Sequence, residues 1–366
     1  MTWSWVEIEQ DWLAGGVLAE EPDAVVEAFD RVEEYFGHEW MEQSRMHEGA
    51  IGPARGTSPT LNITILGQEL AMLEVSSGCE TLVQKLRDRV PSASAELDAL
   101  WLAGHGQEVD VECEPEVDVA GRLRKPDFRI RPKAEAWTFV EVTQPNRSAA
   151  EMSVRAAMDE LVRLIETSTG TYTAEVFFLR LPEQGEIAEV LTALADAVSR
   201  PESREITLSD DLGVIYLHVG APGEGVIDDH GFPSVPRLGA MRAAVENGEP
   251  VRHVMVRMPY YDQRGHQFLA TEASQLPEDA PGLIMIQTSA APGALKEWVS
   301  VIEGELQLGL YEQVSAVCLF GSGHYPTDRG EVWRVQTKLV GNPDALHELP
   351  DWLHNQLRQF EGALSS

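Results

Sequence analysis

A chain of 366 residues, 43% of them hydrophobic, is long enough for two or three packed domains, yet it has no apolar run of the ~18 residues that a bilayer span requires. Its formal charge of -32 repels polyanions at long range, which excludes diffuse nucleic-acid binding and confines any such contact to a local patch. The start MTWSWVEIEQDWLAGG is acidic and aromatic where an export signal needs a basic start and an apolar core, so the expected compartment is the cytoplasm. Cys79, Cys113 and Cys318 are odd in number and lack C-x-x-C spacing, which reads as three structural thiols rather than a disulfide framework or a zinc site.

In chain order, Val25, Phe29, Val32 and Phe36 recur at helical spacing, and Pro22 suits a first turn, so residues 21–46 are expected to form an amphipathic helix. Residues 49–59, rich in Gly, Pro and Ser, predict a loop, followed by a short strand at 61–66 and a helix over 80–90. SASAELDALWLAGHG after Pro91 predicts a helix through Leu97, Leu100 and Trp101 that stops at Gly104. From Glu108 to Val119 acids fill one parity while Val109, Val111, Cys113, Val117 and Val119 fill the other, which predicts a strand with one solvated face.

Residues 127–131 and 137–143 predict two further strands, the second apolar on both parities, as a central strand would be. A helix over 148–167 and a strand at 174–181 complete the order helix, strand, strand, strand, helix, strand. Beyond a helix at 186–200, strands at 213–219, 253–258, 282–287, 314–320 and 331–338 alternate with helices at 239–246, 294–308 and 349–361, an α/β arrangement. Gly321-Ser322-Gly323 lacks a P-loop lysine and reads as a turn, and Asp228-Asp229-His230 reads as a hydrated loop.

The stretch KPDFRIRPKAEAWTFVEVTQP carries the chemistry. Pro126-Asp127 opens one predicted strand and Glu141-Val142-Thr143 closes the next, and in this order of elements the segment resembles the PD-(D/E)xK superfamily of restriction-endonuclease-like nucleases. The resemblance covers residues 93–181 and implies a core at 93–205, an N-terminal helical or mixed extension at 1–92 and a C-terminal α/β region at 206–366. It implies that Asp127 and Glu141 hold Mg²⁺ or Mn²⁺, with the Val142 carbonyl and a helical Glu96 in support, for hydrolysis of phosphodiester bonds in DNA or RNA. Mg²⁺ takes hard oxygen ligands, usually one or two carboxylates completed by water and substrate. Thr143 stands where that family carries lysine and shares strand parity with Glu141, so it points into the same site.

A cation or proton acceptor beside the metal is needed to activate water, and the local substitutes are Lys125, Gln144 and Arg147. Arg122, Arg124, Lys125, Arg129, Arg131 and Lys133 cluster around Asp127. Arg129 and Arg131 would hold a phosphate backbone; alternatively, the cluster pairs with the acidic face of the preceding strand. The reading that competes with a nuclease is a catalytically inactive module that binds a protein partner or assembles with itself. No membrane association is expected.

Overall fold

The computed structural model describes residues 3–6, 8–9, 22–46, 59–145, 156, 158–159, 163, 170–180, 182–200, 202, 204–219, 237–246, 249–259, 265–288, 294–327 and 330–361. The expected loop at 49–59 and the helix at 148–167 fall largely outside these residues, and Arg147 and Asp228-Asp229-His230 fall wholly outside them. The chain is mixed α/β and divides into two compact units, residues 1–145, 263–290 and 298–366 in the first and 146–262 with 291–297 in the second. The division expected from sequence lay at 92 and 205; here the second unit is inserted between stretches of the first.

The first unit begins with helices α1 (Pro22–Phe36), α2 (His38–Met46) and α3 (Pro59–Leu70). The single helix expected over 21–46 breaks at Gly37, whose φ of 90° suits a residue without a Cβ. Leu61–Leu66, expected as a strand, lies inside α3: Ile63 and Leu66 are fully buried beside Phe29 and Leu70, so helix packing overrides the β-branched preference of LNITIL. Gly67 permits the close crossing of α1 and α3, because a Cβ there would overlap the Ala28 backbone. Its carbonyl also accepts a 3.0 Å hydrogen bond from Arg31 Nη1.

Next come strand β1 (Ser76–Ser77), helices α4 (Glu80–Arg87) and α5 (Pro91–Gly104), and strands β2 (Val109–Cys113), β3 (Val117–Val119), β4 (Arg122–Arg124), β5 (Phe128–Pro132) and β6 (Thr138–Thr143). The acidic strand expected at 108–119 is two strands, since Glu114 adopts φ 48° and ends β2. Leu97, Leu100 and Leu102 of α5 are fully buried, and Gln356 secures its end by donating to the carbonyls of Leu102 at 3.1 Å and His105 at 2.9 Å. That satisfies acceptors a helix terminus leaves open.

In the second unit, β7 (Tyr172–Phe178), helix α6 (Gln184–Ser199), β8 (Arg204–Thr207), β9 (Gly213–Val219), β10 (Arg237–Glu246) and β11 (Glu249–Pro259) form a sheet of order β10-β11-β7-β9-β8. Its core includes Ala174, Val176, Phe178, Val190, Leu194, Ile215 and Val254. Residues 239–246, expected to be helical, pair antiparallel with β11 from Arg237↔Pro259 to Glu246↔Glu249.

The chain returns to the first unit through helix α7 (Gly265–Ala273), which the sequence reading missed, then β12 (Gly282–Gln287), helix α8 (Ala294–Leu306), β13 (Ala316–Thr327), β14 (Gly330–Gly341) and helix α9 (Asp351–Arg358). The first-unit sheet runs β1-β2-β5-β6-β12-β13-β14, with β6 parallel to β12. α7 immediately precedes β12 in the chain, and β12 pairs with β6 on the side away from β5. The expected closing strand at 174–181 is β7, which belongs to the other sheet. Gly321-Ser322-Gly323 lies within β13 and is no turn.

Cys79 and Cys113, read from sequence as free thiols, form a disulfide with their Cα atoms 5.0 Å apart. Pairing of β1 with β2 brings them together: Ser77 lies beside Glu112, so Cys113, the last residue of β2, meets Cys79 two residues past β1. Cys318 is free and buried, as expected. No helix among the described residues is long and apolar enough to cross a membrane.

Replacing Gly67 by alanine is expected to lower stability by about 1–3 kcal/mol, because the α1 and α3 backbones must separate. Urea denaturation checks this, and an unchanged midpoint would show that the crossing tolerates a methyl group.

Candidate active site

The site is set by strand register. β5 and β6 pair antiparallel with Phe128 opposite Val140, so one further rung sets Asp127 opposite Glu141. Asp127 extends β5 past its last ladder pair: its carbonyl accepts the Glu114 amide at 2.9 Å, and its Oδ2 accepts the Val142 amide at 2.7 Å. The preceding Pro126 donates no hydrogen bond and keeps its φ fixed at the strand entrance. The Asp127 and Glu141 side chains hydrogen-bond to each other. Glu141 is only 2% exposed, and its Oε1 has no hydrogen-bond partner among the described residues.

Four further groups join this pair. Glu96 on α5, 8% exposed, interacts electrostatically with Asp127 and Glu141. Lys85 on α4 places its Nζ 3.1 Å from Glu96 Oε2 and 3.5 Å from Glu114 Oε1. The left-handed conformation of Glu114 breaks the alternation of β2 there. Glu272, near the end of α7, accepts hydrogen bonds from Thr143 and Gln275. Lys85 thus interacts with Glu96, Glu114 and Asp127, while Glu272 acts on Asp127 and Glu141.

Protonation relieves the repulsion. Burial, reinforced by Asp127 and Glu272, pushes Glu141 up to about 10. Burial raises Asp127 to about 6 against the opposing Val142 amide, and burial with the Asp127 charge raises Glu96 to about 7. Glu272 is also raised by burial. Burial works against the Lys85 charge, but Glu96, Asp127 and Glu114 together hold its pKa above the ordinary value. Near neutral pH, Glu141 is the protonated partner that donates to Asp127, and Lys85 is firmly an ammonium.

The residues expected to act together do so only in part. Asp127, Glu141, Glu96 and Thr143 converge, and Thr143 spends its hydroxyl on Glu272. Gln144 sits beside them but donates to Gln287 Oε1 at 2.7 Å, and Gln287 in turn donates to Asp98 Oδ2 at 2.7 Å. Val142 contributes its amide to Asp127. Lys125 turns away to Glu116 at 3.2 Å, half exposed.

The two readings of the basic cluster are also resolved in part. Arg129 Nε bonds Glu112 at 2.8 Å, Arg131 Nε bonds Asp110 at 3.3 Å, and Lys133 lies 3.9 Å from Glu108, so these bases pair with the acidic face of β2. Both guanidinium groups also lie against the Trp137 ring, 4.5 Å and 4.2 Å from its centroid.

Lys85 and Glu272 escaped the sequence reading because each arrives from an element remote from the motif, and Glu114 reads in sequence as part of the solvated face of the strand over 108–119. For Lys85 the sequence signal is the helix over 80–90 that carries it. Among the described residues no group of three or more His, Cys, Asp or Glu is arranged as a ready-made metal site. The oxygen-only donor set and the partnerless Glu141 Oε1 nevertheless suit a hard divalent cation held by two carboxylates and water. No family model matches the chain, and no curated protein matches it.

A carboxyl whose pKa is raised on folding holds a proton that the unfolded chain releases, so stability falls as pH rises between the unfolded and folded values. For Glu96 that window runs from 4.5 to about 7 and for Glu141 from 4.5 to about 10. Glu141→Gln, which mimics the protonated form, should therefore match the wild type near pH 5 and exceed its stability by the order of 1–3 kcal/mol near pH 9. Urea midpoints across this range check the prediction; an equal loss at every pH would contradict the buried, protonated Glu141.

Proposed function

We propose that the first unit holds a restriction-endonuclease-like core and that the protein is, or descends from, a cytoplasmic Mg²⁺- or Mn²⁺-dependent nuclease that hydrolyses phosphodiester bonds in DNA or RNA. The observation that carries this reading is the cross-strand pair Asp127–Glu141, buried, sharing a proton and flanked by Lys85. The elements around the pair, α5, β2, β5 and β6, joined beyond the inserted second unit by α7 and β12, support it further.

Asp127 and Glu141 would hold the cation, with Glu96 in support. When bound, it would neutralise charge developing on the phosphoryl oxygens and lower the pKa of a coordinated water. Lys85 replaces the motif lysine that Thr143 displaces. Because its neighbours keep it protonated, it serves to stabilise negative charge and cannot accept a proton. Glu96, poised near 7, is suited to exchange a proton at neutral pH. Thr143, bonded to Glu272, orients that carboxylate.

The second reading is an inactive nuclease-fold module that binds a protein partner or assembles with itself. It is favoured by the ion pairs that occupy Arg129 and Arg131, which leave those bases less available to a phosphate backbone.

Cleavage of a panel of single- and double-stranded DNA and RNA with Mg²⁺ or Mn²⁺ tests the first reading. Asp127→Ala should abolish cleavage, and Lys85→Met should reduce kcat by on the order of 10²–10⁴. An undiminished Asp127→Ala would sink the assignment. Calorimetry of Mn²⁺ in buffers of different ionisation enthalpy should show about one proton released per ion at pH 7, since Glu141 must give up its proton to ligate; binding without proton release would place the ion elsewhere.

A further inference from the structure

The Cys79–Cys113 disulfide joins the two segments that bring Lys85 and Glu114 to the site. Cys79 is the residue at the N-terminal boundary of α4, the helix that carries Lys85, and Cys113 ends β2 immediately before Glu114. At its C-terminal end α4 is tied through Arg87, whose Nη2 donates to the Tyr35 carbonyl at 2.8 Å and whose carbonyl accepts Trp40 Nε1 at 3.0 Å, whereas at the N-terminal end that carries Cys79 the other restraint is slight. β1 supplies two parallel rungs, Ser76↔Val111 and Ser77↔Glu112, with a 3.2 Å bond from Ser77 Oγ to the Val111 carbonyl. α4 is eight residues long and buries only Leu82 and Leu86. A helix so short has little stability of its own, so its position depends on what ties its ends.

The chain's thiol usage adds to this. Cys318 is buried and remote from the pair, leaving Cys79 and Cys113 as a self-contained couple. A disulfide in the cytoplasm is usually transient and redox-sensing rather than a permanent staple.

We infer that the Cys79–Cys113 disulfide is a redox latch that holds Lys85 against Glu96 and Glu114, and that its reduction releases α4 and withdraws the cation from the site. The inference rests on the proposed function for the cytoplasmic setting and for control of cleavage; the movement of Lys85 on reduction is measured independently of it. The reductant is a dithiol. One of its thiolates attacks a disulfide sulfur to give a mixed disulfide, and its second thiol resolves that bond. Cys79 and Cys113 are left as two thiols, and the dithiol, having given two electrons, becomes a disulfide.

The test compares the full chain, oxidised and after dithiothreitol, by amine acylation quantified at Lys85 by mass spectrometry, with far-UV circular dichroism as a check on folding. Acylation of Lys85 is expected to rise roughly three-fold or more on reduction with the spectrum unchanged. Cys79→Ala/Cys113→Ala should show the raised rate in both conditions, and if that variant does not fold, Cys113→Ala is read in the same way. A smaller rise overturns the latch, as does cooperative unfolding on reduction, which would make the disulfide a structural staple. The same samples are assayed for cleavage. A rise in Lys85 acylation with no cleavage in either state removes the nuclease reading and leaves the latch standing. Cleavage equal in both states overturns the redox control.

Discussion

The constraint on which the candidate site depends is the buried Asp127–Glu141 pair, crowded by Glu96 and Glu272 and faced by the Lys85 ammonium that also pairs with Glu96 and Glu114. In a poorly solvated site, like charges at this spacing cannot all be ionised, and the group settles the conflict with protons and with Lys85. Much of the local architecture holds that arrangement in place. Register brings Asp127 opposite Glu141, the left-handed Glu114 turns toward Lys85, and Thr143 anchors Glu272. A fold has little reason to bury so many acids for stability alone, because apolar residues of similar volume would pack there at lower cost. Sites that hold such a penalty are commonly those that bind or react.

Topology explains how the acids meet. β6 is central, flanked by β5 on one side and by β12 on the other, and its four leading residues are buried. The parallel neighbour β12 comes from beyond the inserted second unit, and with it comes α7, which packs on both β6 and β12 and carries Glu272. The site thus draws on α4, α5, the strand ends of β2, β5 and β6, and α7. The acidic surface has its own logic. Arg129 and Arg131 are matched on successive same-face rungs with Glu112 and Asp110 of β2, which steadies the sheet and lowers the local density of free positive charge.

Periodicity made several parts of this legible in the sequence. Strict alternation marked β2, the doubly apolar pattern marked β6, and the small N-terminal residues and apolar run marked α5. The Asp127–Glu141 pair followed from placing a Pro-Asp and a Glu at the ends of successive strands. Local pattern failed where partners decide. LNITIL is β-branched but sits among helices, and LGAMRAAVE is rich in helix formers but has the eleven-residue strand β11 as a template. Lys85, Glu272 and the disulfide depend on contacts distant in sequence, such as the separation of 34 between Cys79 and Cys113, which spacing alone does not reveal.

On the proposed reading, the cation that a motif lysine would supply comes instead from Lys85 on α4, while Thr143 bonds Glu272. What distinguishes a working metal centre from a crowded acidic pocket is whether Asp127 and Glu141 exchange their shared proton for a divalent ion. Anomalous diffraction from crystals grown with Mn²⁺ tests this most directly. The account predicts a single anomalous peak within ligating distance of one oxygen each of Asp127 and Glu141, absent in Asp127→Ala. Saturating Mn²⁺ with no peak between these carboxylates, or a peak that survives the substitution, would contradict it.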